Sequence, residues 1–291
     1  MSPKNLPKNI IPYLFLLPAG IILSLTVFLP TLQAVYLSFT DYTDLRLSPQ
    51  WIGWRNFQQL FSDQVFWLTL KNTLIYLIIV VPILVILPLG LAILVNQKLK
   101  LIAWFRAAYY TPVIISIVVA GIAWKWLYAE NGLLNQLLSF LGFKSGFPWL
   151  TSPQFALFSV MAVTIWKGLG YYMVIYLAGL QSISAELYEA ASMDGSDGNQ
   201  VHFDITIPLM RPYLLLVCVI SAISATKVFE EVYVMTQGGP LNSSKTVVYY
   251  LYDQAINNIK ISYGCTIGLV LFFAILILAI LNIKLSELNG R

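Results

Sequence analysis

The sequence predicts an all-α membrane protein with six transmembrane helices. Composition is the first observation: of 291 residues, 58% are hydrophobic and 10% are charged, against about 25% charged in soluble domains. The second is length. Six stretches reach the roughly 20 mostly apolar residues that a bilayer crossing needs, over 10–39, 70–95, 106–128, 155–180, 213–235 and 264–283. The third is charge placement, because Lys and Arg fall mainly in the segments between these runs.

The first run follows Lys4 and Lys8 and resembles a signal peptide only at its start. It is far longer than an apolar signal core of about 7–15 residues, so it is expected to stay as the first span. Pro12 suits its first turn, and Pro18 and Pro30 are expected to bend it or mark its ends. An even number of spans puts both termini on one side. Lys4, Lys8, Lys98, Lys100, Arg106, Arg211, Lys284 and Arg291 then share that side, against Arg46, Arg55, Lys144, Lys245 and Lys260 opposite. The bias places both termini in the cytoplasm. Trp51, Trp54, Trp67, Trp126 and Trp149 gather on the outer side, as interfacial anchors do. The organisation expected is a first helix and outer loop over 1–67, then a core of five spans over 68–291. In the outer loop at 236–263, Gly-Gly-Pro marks a sharp reversal before a short helix in KTVVYYLYDQAI.

Several functions are excluded at this level. A net charge of +4 without a basic stripe excludes nucleic-acid binding. Cys218 and Cys265 lie in or beside apolar runs and supply neither metal-ligand spacing nor a disulfide framework. There is no phosphate-binding Gly-x-x-x-x-Gly-Lys-Ser/Thr loop. His202 is the sole histidine and lies in a loop, which leaves no Ser/His/Asp constellation. No catalytic residue, no metal and no cofactor is expected in this chain.

One inner loop, 181–212, is unlike the rest. Between Glu186 and Asp204 it holds five of the chain's thirteen acidic residues. ISAELYEAASMDG reads as a short helix. Ser184 stands at its N-cap, Glu186 and Glu189 sit where the macrodipole favours anions, and Gly195 follows for a left-handed stop. A second helical turn is expected to stop at Pro208, before Arg211 and Pro212 open the fifth span. A helix this short is marginal alone in water and must dock, onto its own spans or onto a partner.

EAASMDG followed by IPLMRP resembles the EAA loop of permease subunits of ATP-binding-cassette importers. The pattern is matched by Glu189, Ala190, Ala191, Asp194, Gly195, Ile205 and Pro208, with Ile207 where Leu is usual. YYMVIYLAGLQSISAELYEAASMDG, VYVMTQGGPLNSSKTVVYYLYDQAI and YGCTIGLVLFFAILIL look like the sugar and glycerol-phosphate branch. The resemblance implies a type I importer permease fold in a bacterial inner membrane, with a cytoplasmic coupling helix at about 184–194 that contacts an ATPase through Glu186, Glu189, Ala190, Ala191, Asp194, Gly195 and Pro208. It implies a heterodimer with a second permease subunit, two copies of a cytoplasmic ATPase that bind ATP and Mg2+, and an extracytoplasmic solute-binding protein.

Ionisable groups at membrane depth are costly and mark function by default. Lys167 lies mid-span, and Lys227, Glu230 and Glu231 lie in the fifth run. Measured along antiparallel helices at about 1.5 Å per residue, Lys167 and Lys227 reach one depth. Lys227 and Glu231 are spaced to share a helix face. Trp166, Lys167, Tyr171, Tyr172, Lys227, Glu230 and Glu231 are therefore the candidate translocation path, aromatic faces with polar groups as sugars require. An interhelical ion pair and snorkelling lysines are the alternatives. Gly168, Gly170 and Gly179 are expected to permit close helix approach. An ATP-independent facilitator or channel fits six spans equally well, but gives no reason for the acidic loop. A membrane-embedded enzyme lacks a catalytic cluster.

Overall fold

The computed structural model describes residues 11–42, 48–97, 100–143 and 146–289. Lys4, Lys8, Arg46, Lys98, Lys144 and Arg291, used above for the charge bias, lie outside the described residues, as does the side chain of Lys284.

The chain runs α1 (Ile11–Leu23), a π-helical turn (Ser24–Phe28), α2 (Leu29–Ser38), β1 (Thr40–Asp41), β2 (Gln50–Trp51), α3 (Arg55–Ser62), α4 (Gln64–Val95) and α5 (Ile102–Ile114). It continues through α6 (Ile117–Leu127), α7 (Leu133–Phe140), α8 (Ala156–Gln181), α9 (Ala185–Met193), a π-helical turn (His202–Thr206) and α10 (Ile207–Leu209). The last elements are α11 (Arg211–Thr226), α12 (Glu230–Met235), α13 (Val247–Tyr252), a π-helical turn (Asp253–Asn257) and α14 (Ile261–Asn289). Pro30 and Pro212 occupy first turns of α2 and α11, where a missing N–H costs nothing.

Two compact units result, Met1–Asp63 with Leu251–Phe272, and Gln64–Tyr250 with Phe273–Arg291. The division thus falls at Asp63 instead of after 67, and a late segment returns to the first unit. In that unit the polar groups beyond α2 are closed by side chains. Asn56 donates to the carbonyls of Ser38 and Thr40 at 3.0 and 2.8 Å. Thr266 donates to Ser38 O at 3.1 Å, and Tyr263 to the Asp63 carboxylate at 2.6 Å. The antiparallel ribbon β1–β2, a small departure from an all-helical chain, sits where Phe39 stacks on Trp51 with ring centroids 5.6 Å apart.

In the second unit α4 packs along α8, α11 lies on α4, α5 on α8, and α12 on α6 and α8. Tyr76, Val80, Val160, Met161, Val163, Met173, Tyr176 and Val217 form its buried centre. The Gly-Gly-Pro reversal is tied to α4 by Asn72, which donates to Asn242 O and Lys245 O at 3.1 and 3.0 Å.

Two of the six expected spans are not continuous helices. Among the described residues four unbroken helices are long and apolar enough to cross a membrane, namely Phe15–Ser38, Gln64–Val95, Ala156–Gln181 and Ile261–Ile280. The third is α5 and α6 meeting at 99°, with Ile115 and Ser116 extended between them. At the start of the fifth, the helical segment His202–Leu209 bends by 58° into α11. Helix therefore runs past Pro208, which sits in the first turn of α10, and breaks at Met210. The fifth span also ends early. α11 stops at Thr226 and the chain leaves the helix before α12 begins at Glu230. Lys227 and Glu231, expected from their spacing to share a helix face, therefore lie on different helices. Thr246 accounts for the gap by donating to Val228 O at 3.0 Å.

Gly168, Gly170 and Gly179 are close-approach positions, as expected. At Gly170 a β-carbon would run into the carbonyl of Tyr109 on α5, a backbone atom that cannot swing away, whereas at Gly90 it would meet nothing within 4 Å. Gly170→Ala is expected to destabilise the purified complex by about 1–3 kcal/mol, seen as a lower thermal unfolding midpoint. Gly90→Ala, which gains helix propensity without a clash, should not lower it. Equal midpoints for the two variants would contradict the α5–α8 crossing.

Candidate functional site

α8 presents Thr164, Lys167, Gly168 and Tyr171 at helical spacing i, i+3, i+4, i+7, so one stripe carries a hydroxyl, a cation, a gap and an aromatic ring. α11 answers with Ser221, Ser224 and Ala225 at i, i+3, i+4. These stripes, with Tyr172 and with Glu231 from α12, line a cavity of about 300 Å³, the lower end of the range for ligand pockets. A larger hollow of about 800 Å³ lies beyond the end of α6, beside Lys125, Trp126, Glu130 and Trp149. It contains none of the charged groups of the fourth and fifth spans.

Among the described residues Lys167 makes no ion pair and turns to backbone instead. Its ammonium donates to Pro112 O at 3.1 Å, Val113 O at 3.2 Å and Ile115 O at 2.5 Å. These are carbonyls at the C-terminus of α5, which the break leaves without intrahelical donors. A cation there also complements the negative end of the helix. Glu231 accepts from the Thr164 hydroxyl at 3.0 Å, and Thr164 in turn meets the Tyr76 hydroxyl at 2.5 Å. No ion pair joins Lys167 to Glu231 among the described residues.

The structure thus brings Lys167, Tyr171, Tyr172 and Glu231 to one cavity. It does not bring the other three there. Trp166 packs edge-on against Trp124, centroids 5.4 Å apart. Lys227 and Glu230 are exposed, on either side of the gap between α11 and α12. Thr164, Ser221 and Ser224 were not singled out in the sequence, although their spacing along α8 and α11 was there to be read.

The acidic loop forms a second surface. α9 is nine residues long and Ser184 is its N-cap by position, without a side-chain cap bond. Gly195, at φ +88, ends it, with Ser196 N–H returning to Ala191 O at 2.9 Å. Ala191 is buried while Glu186, Glu189, Ala190, Asp194, Gly195 and Pro208 are exposed. Apolar groups are displayed as well, Leu187, Phe203 and Leu209 beside Met193, whose side chain is 89% exposed. Two contacts tie α9 to the chain that leads into α11. Tyr188 and Thr206 hydroxyls lie 3.1 Å apart, and Ser196 donates to the Asp204 carboxylate at 2.6 Å. His202 joins this knot through Thr206 at 3.1 Å. Tyr188, Ser196 and Thr206 carried no sequence signal of their own.

Comparison with known proteins follows the same lines. The family described as "Binding-protein-dependent transport system inner membrane component" matches residues 69–286. A probable ABC transporter permease protein of Pyrococcus horikoshii is 34% identical over 276 residues, covering 93% of this chain and 94% of that protein. The sulfoquinovosyl glycerol transport system permease protein SmoG of Agrobacterium fabrum is 33% identical, covering 92% of this chain and 87% of its own length. A chain from the crystal structure of a bacterial alginate ABC transporter, in complex with alginate pentasaccharide-bound periplasmic protein, superposes with a TM-score of 0.87 at 24% identity over 99% of both chains. This last likeness establishes the fold.

Lys167→Met removes three donors from the α5 terminus. It is expected to cost about 1–3 kcal/mol, measured as a lower unfolding midpoint of the purified complex. Lys227→Met, at an exposed lysine, should cost little. If both variants melt like the parent, Lys167 is not what holds the break.

Proposed function

Since this chain belongs to the inner membrane components of binding-protein-dependent transport systems, we propose that it forms one half of the path for a sugar, oligosaccharide, glycoside or glycerol phosphate. The chain is the multi-pass permease subunit of an ABC importer. It is not an enzyme, and ATP hydrolysis belongs to a separate subunit.

The observation that carries the energy-coupling part of the proposal is α9. A nine-residue helix that keeps Leu187 and Met193 outward and Ala191 inward is shaped to be covered. The proposed occupant is a groove on one of two cytoplasmic ATPase subunits, which bind ATP and Mg2+. Glu186 and Glu189 make the polar contacts there, Ala190 allows close approach, and Asp194, Gly195 and Pro208 shape the exit. Closure of the ATPase pair moves α9, and the contacts through Thr206 and Asp204 carry the motion towards α11.

The path itself is proposed at the cavity of Lys167, Tyr171, Tyr172 and Glu231. Aromatic rings with hydroxyls and a carboxylate suit the faces and edges of a sugar. The sulfoquinovosyl glycerol permease among its relatives supports a sugar-derived solute. The other half comes from a second, different permease subunit, and an extracytoplasmic binding protein delivers the solute. Both termini are assigned to the cytoplasm and the chain to a bacterial inner membrane, on the excess of basic residues beside α9's side of the sequence.

The test is ATP-driven uptake by the complex in liposomes. Hydrolysis that rises only with loaded binding protein is expected. Solute flow down its gradient without the ATPase would contradict the proposal. Gly195→Pro cannot adopt φ +88, since proline is held near −65°. Both it and Glu189→Lys are expected to reduce uptake to background while membrane insertion stays normal. Normal uptake in either variant would remove α9 from the coupling role.

A further inference from the structure

The path proposed above has a sign. Lys167 and Glu231 are the two charged residues that line the cavity, and their formal charges cancel, yet the two groups are not equally available. An ammonium has three N–H donors. All three of Lys167's are matched by backbone acceptors, at 3.1, 3.2 and 2.5 Å from Pro112, Val113 and Ile115 oxygens. Those oxygens carry the negative end of α5, so the cation is both oriented away and locally offset. A carboxylate, by contrast, has about four acceptor positions. Glu231 accepts at Oε1 from Thr164. The remaining polar lining is hydroxyl, from Tyr171, Tyr172, Ser221 and Ser224; Ser221 already donates to Cys218 O at 3.1 Å and keeps acceptor positions only.

We infer that Glu231 makes this subunit's face of the path a hydroxyl-accepting subsite that rejects anions. Its solutes are uncharged polyhydroxy compounds, and phosphorylated, sulfonated or uronic sugars are excluded. An anion brought here meets a carboxylate and hydroxyls but no cation with a donor to give, in a setting where an unpaired charge is expensive. A neutral sugar meets an acceptor for its O–H groups and ring faces to lie on. The inference rests on the cavity being part of the path, and it narrows the solute range given for that path by removing glycerol phosphate.

The sign can be read without knowing the solute. Ser224→Cys is introduced into the full complex with Cys218 and Cys265 replaced by serine. Its reaction rates are measured with a cationic reagent, 2-(trimethylammonium)ethyl methanethiosulfonate, and an anionic one, 2-sulfonatoethyl methanethiosulfonate. Each rate is divided by that of the same reagent with free 2-mercaptoethanol. The cationic reagent is expected to be favoured by about tenfold, the scale of one nearby unscreened charge. In the added presence of Glu231→Gln the preference should fall to near unity. Tyr171→Cys reads the same cavity from α8 if the first variant fails to assemble. A ratio near one before the Glu231 change, an anion preference, or no reaction at either position overturns the inference. Because the reagents report on the cavity and not on uptake, a complex that fails to import still returns the ratio. A neutral ratio in a complex that does import overturns the charge assignment alone.

Discussion

Inside a bilayer every backbone carbonyl needs a donor, and this fold is organised by how it meets that need where helices stop. Lys167 answers for the end of α5 with three donated hydrogen bonds. Arg106 answers for the end of α4, where its Nε and Nη2 reach Val95 O at 3.1 and 2.6 Å. Thr246 answers for Val228 in the gap between α11 and α12. With its carbonyls satisfied, α5 can end and α6 can leave at 99°. The same bonds turn the Lys167 cation towards backbone and leave Glu231 as the charged acceptor in the cavity. A structural requirement at one helix end thereby sets the chemistry of a site lined by five helices.

The cavity and the α9 surface are linked by a short stretch of chain. From α9 the backbone turns at Gly195, passes the His202–Thr206 turn and α10, and enters α11, which supplies Ser221 and Ser224 to the cavity. Ser196–Asp204 and Tyr188–Thr206 hold the first part of that route together. In the proposed cycle a push on α9 is delivered to α11 as a rigid displacement, because the loop between them is bonded to itself. The 58° bend at Met210 is the place where such a displacement changes direction.

Much of this was legible in the sequence because its cause is local. The long apolar runs specify α8 within one residue at each end, while α4 begins six residues before its run and α14 extends six beyond, and Gly195 marks the end of α9 because a left-handed stop needs a glycine there. The two helix breaks were not legible. An apolar run such as 106–128 reads the same whether it is straight or bent at Ile115–Ser116, and the group that permits the bend, Lys167, lies some fifty residues away. The error at Lys227 and Glu231 follows from that limit. Spacing i, i+4 implies a shared face only if the helix is continuous, and here Lys227 closes one helix while Glu231 belongs to the next. The sequence singles out Lys167, but not the Pro112, Val113 and Ile115 carbonyls to which it donates. Backbone acceptors from a broken neighbour have no signature in sequence.

The most direct measurement is a high-resolution cryo-electron-microscopy structure of the complete importer in lipid. The Lys167 ammonium is expected within hydrogen-bond distance of the Pro112, Val113 and Ile115 carbonyls, with α5 and α6 separated at Ile115–Ser116 and Glu231 open to the cavity. A continuous helix through 114–117, with Lys167 instead paired to Glu231, would contradict both the cap and the sign of the path.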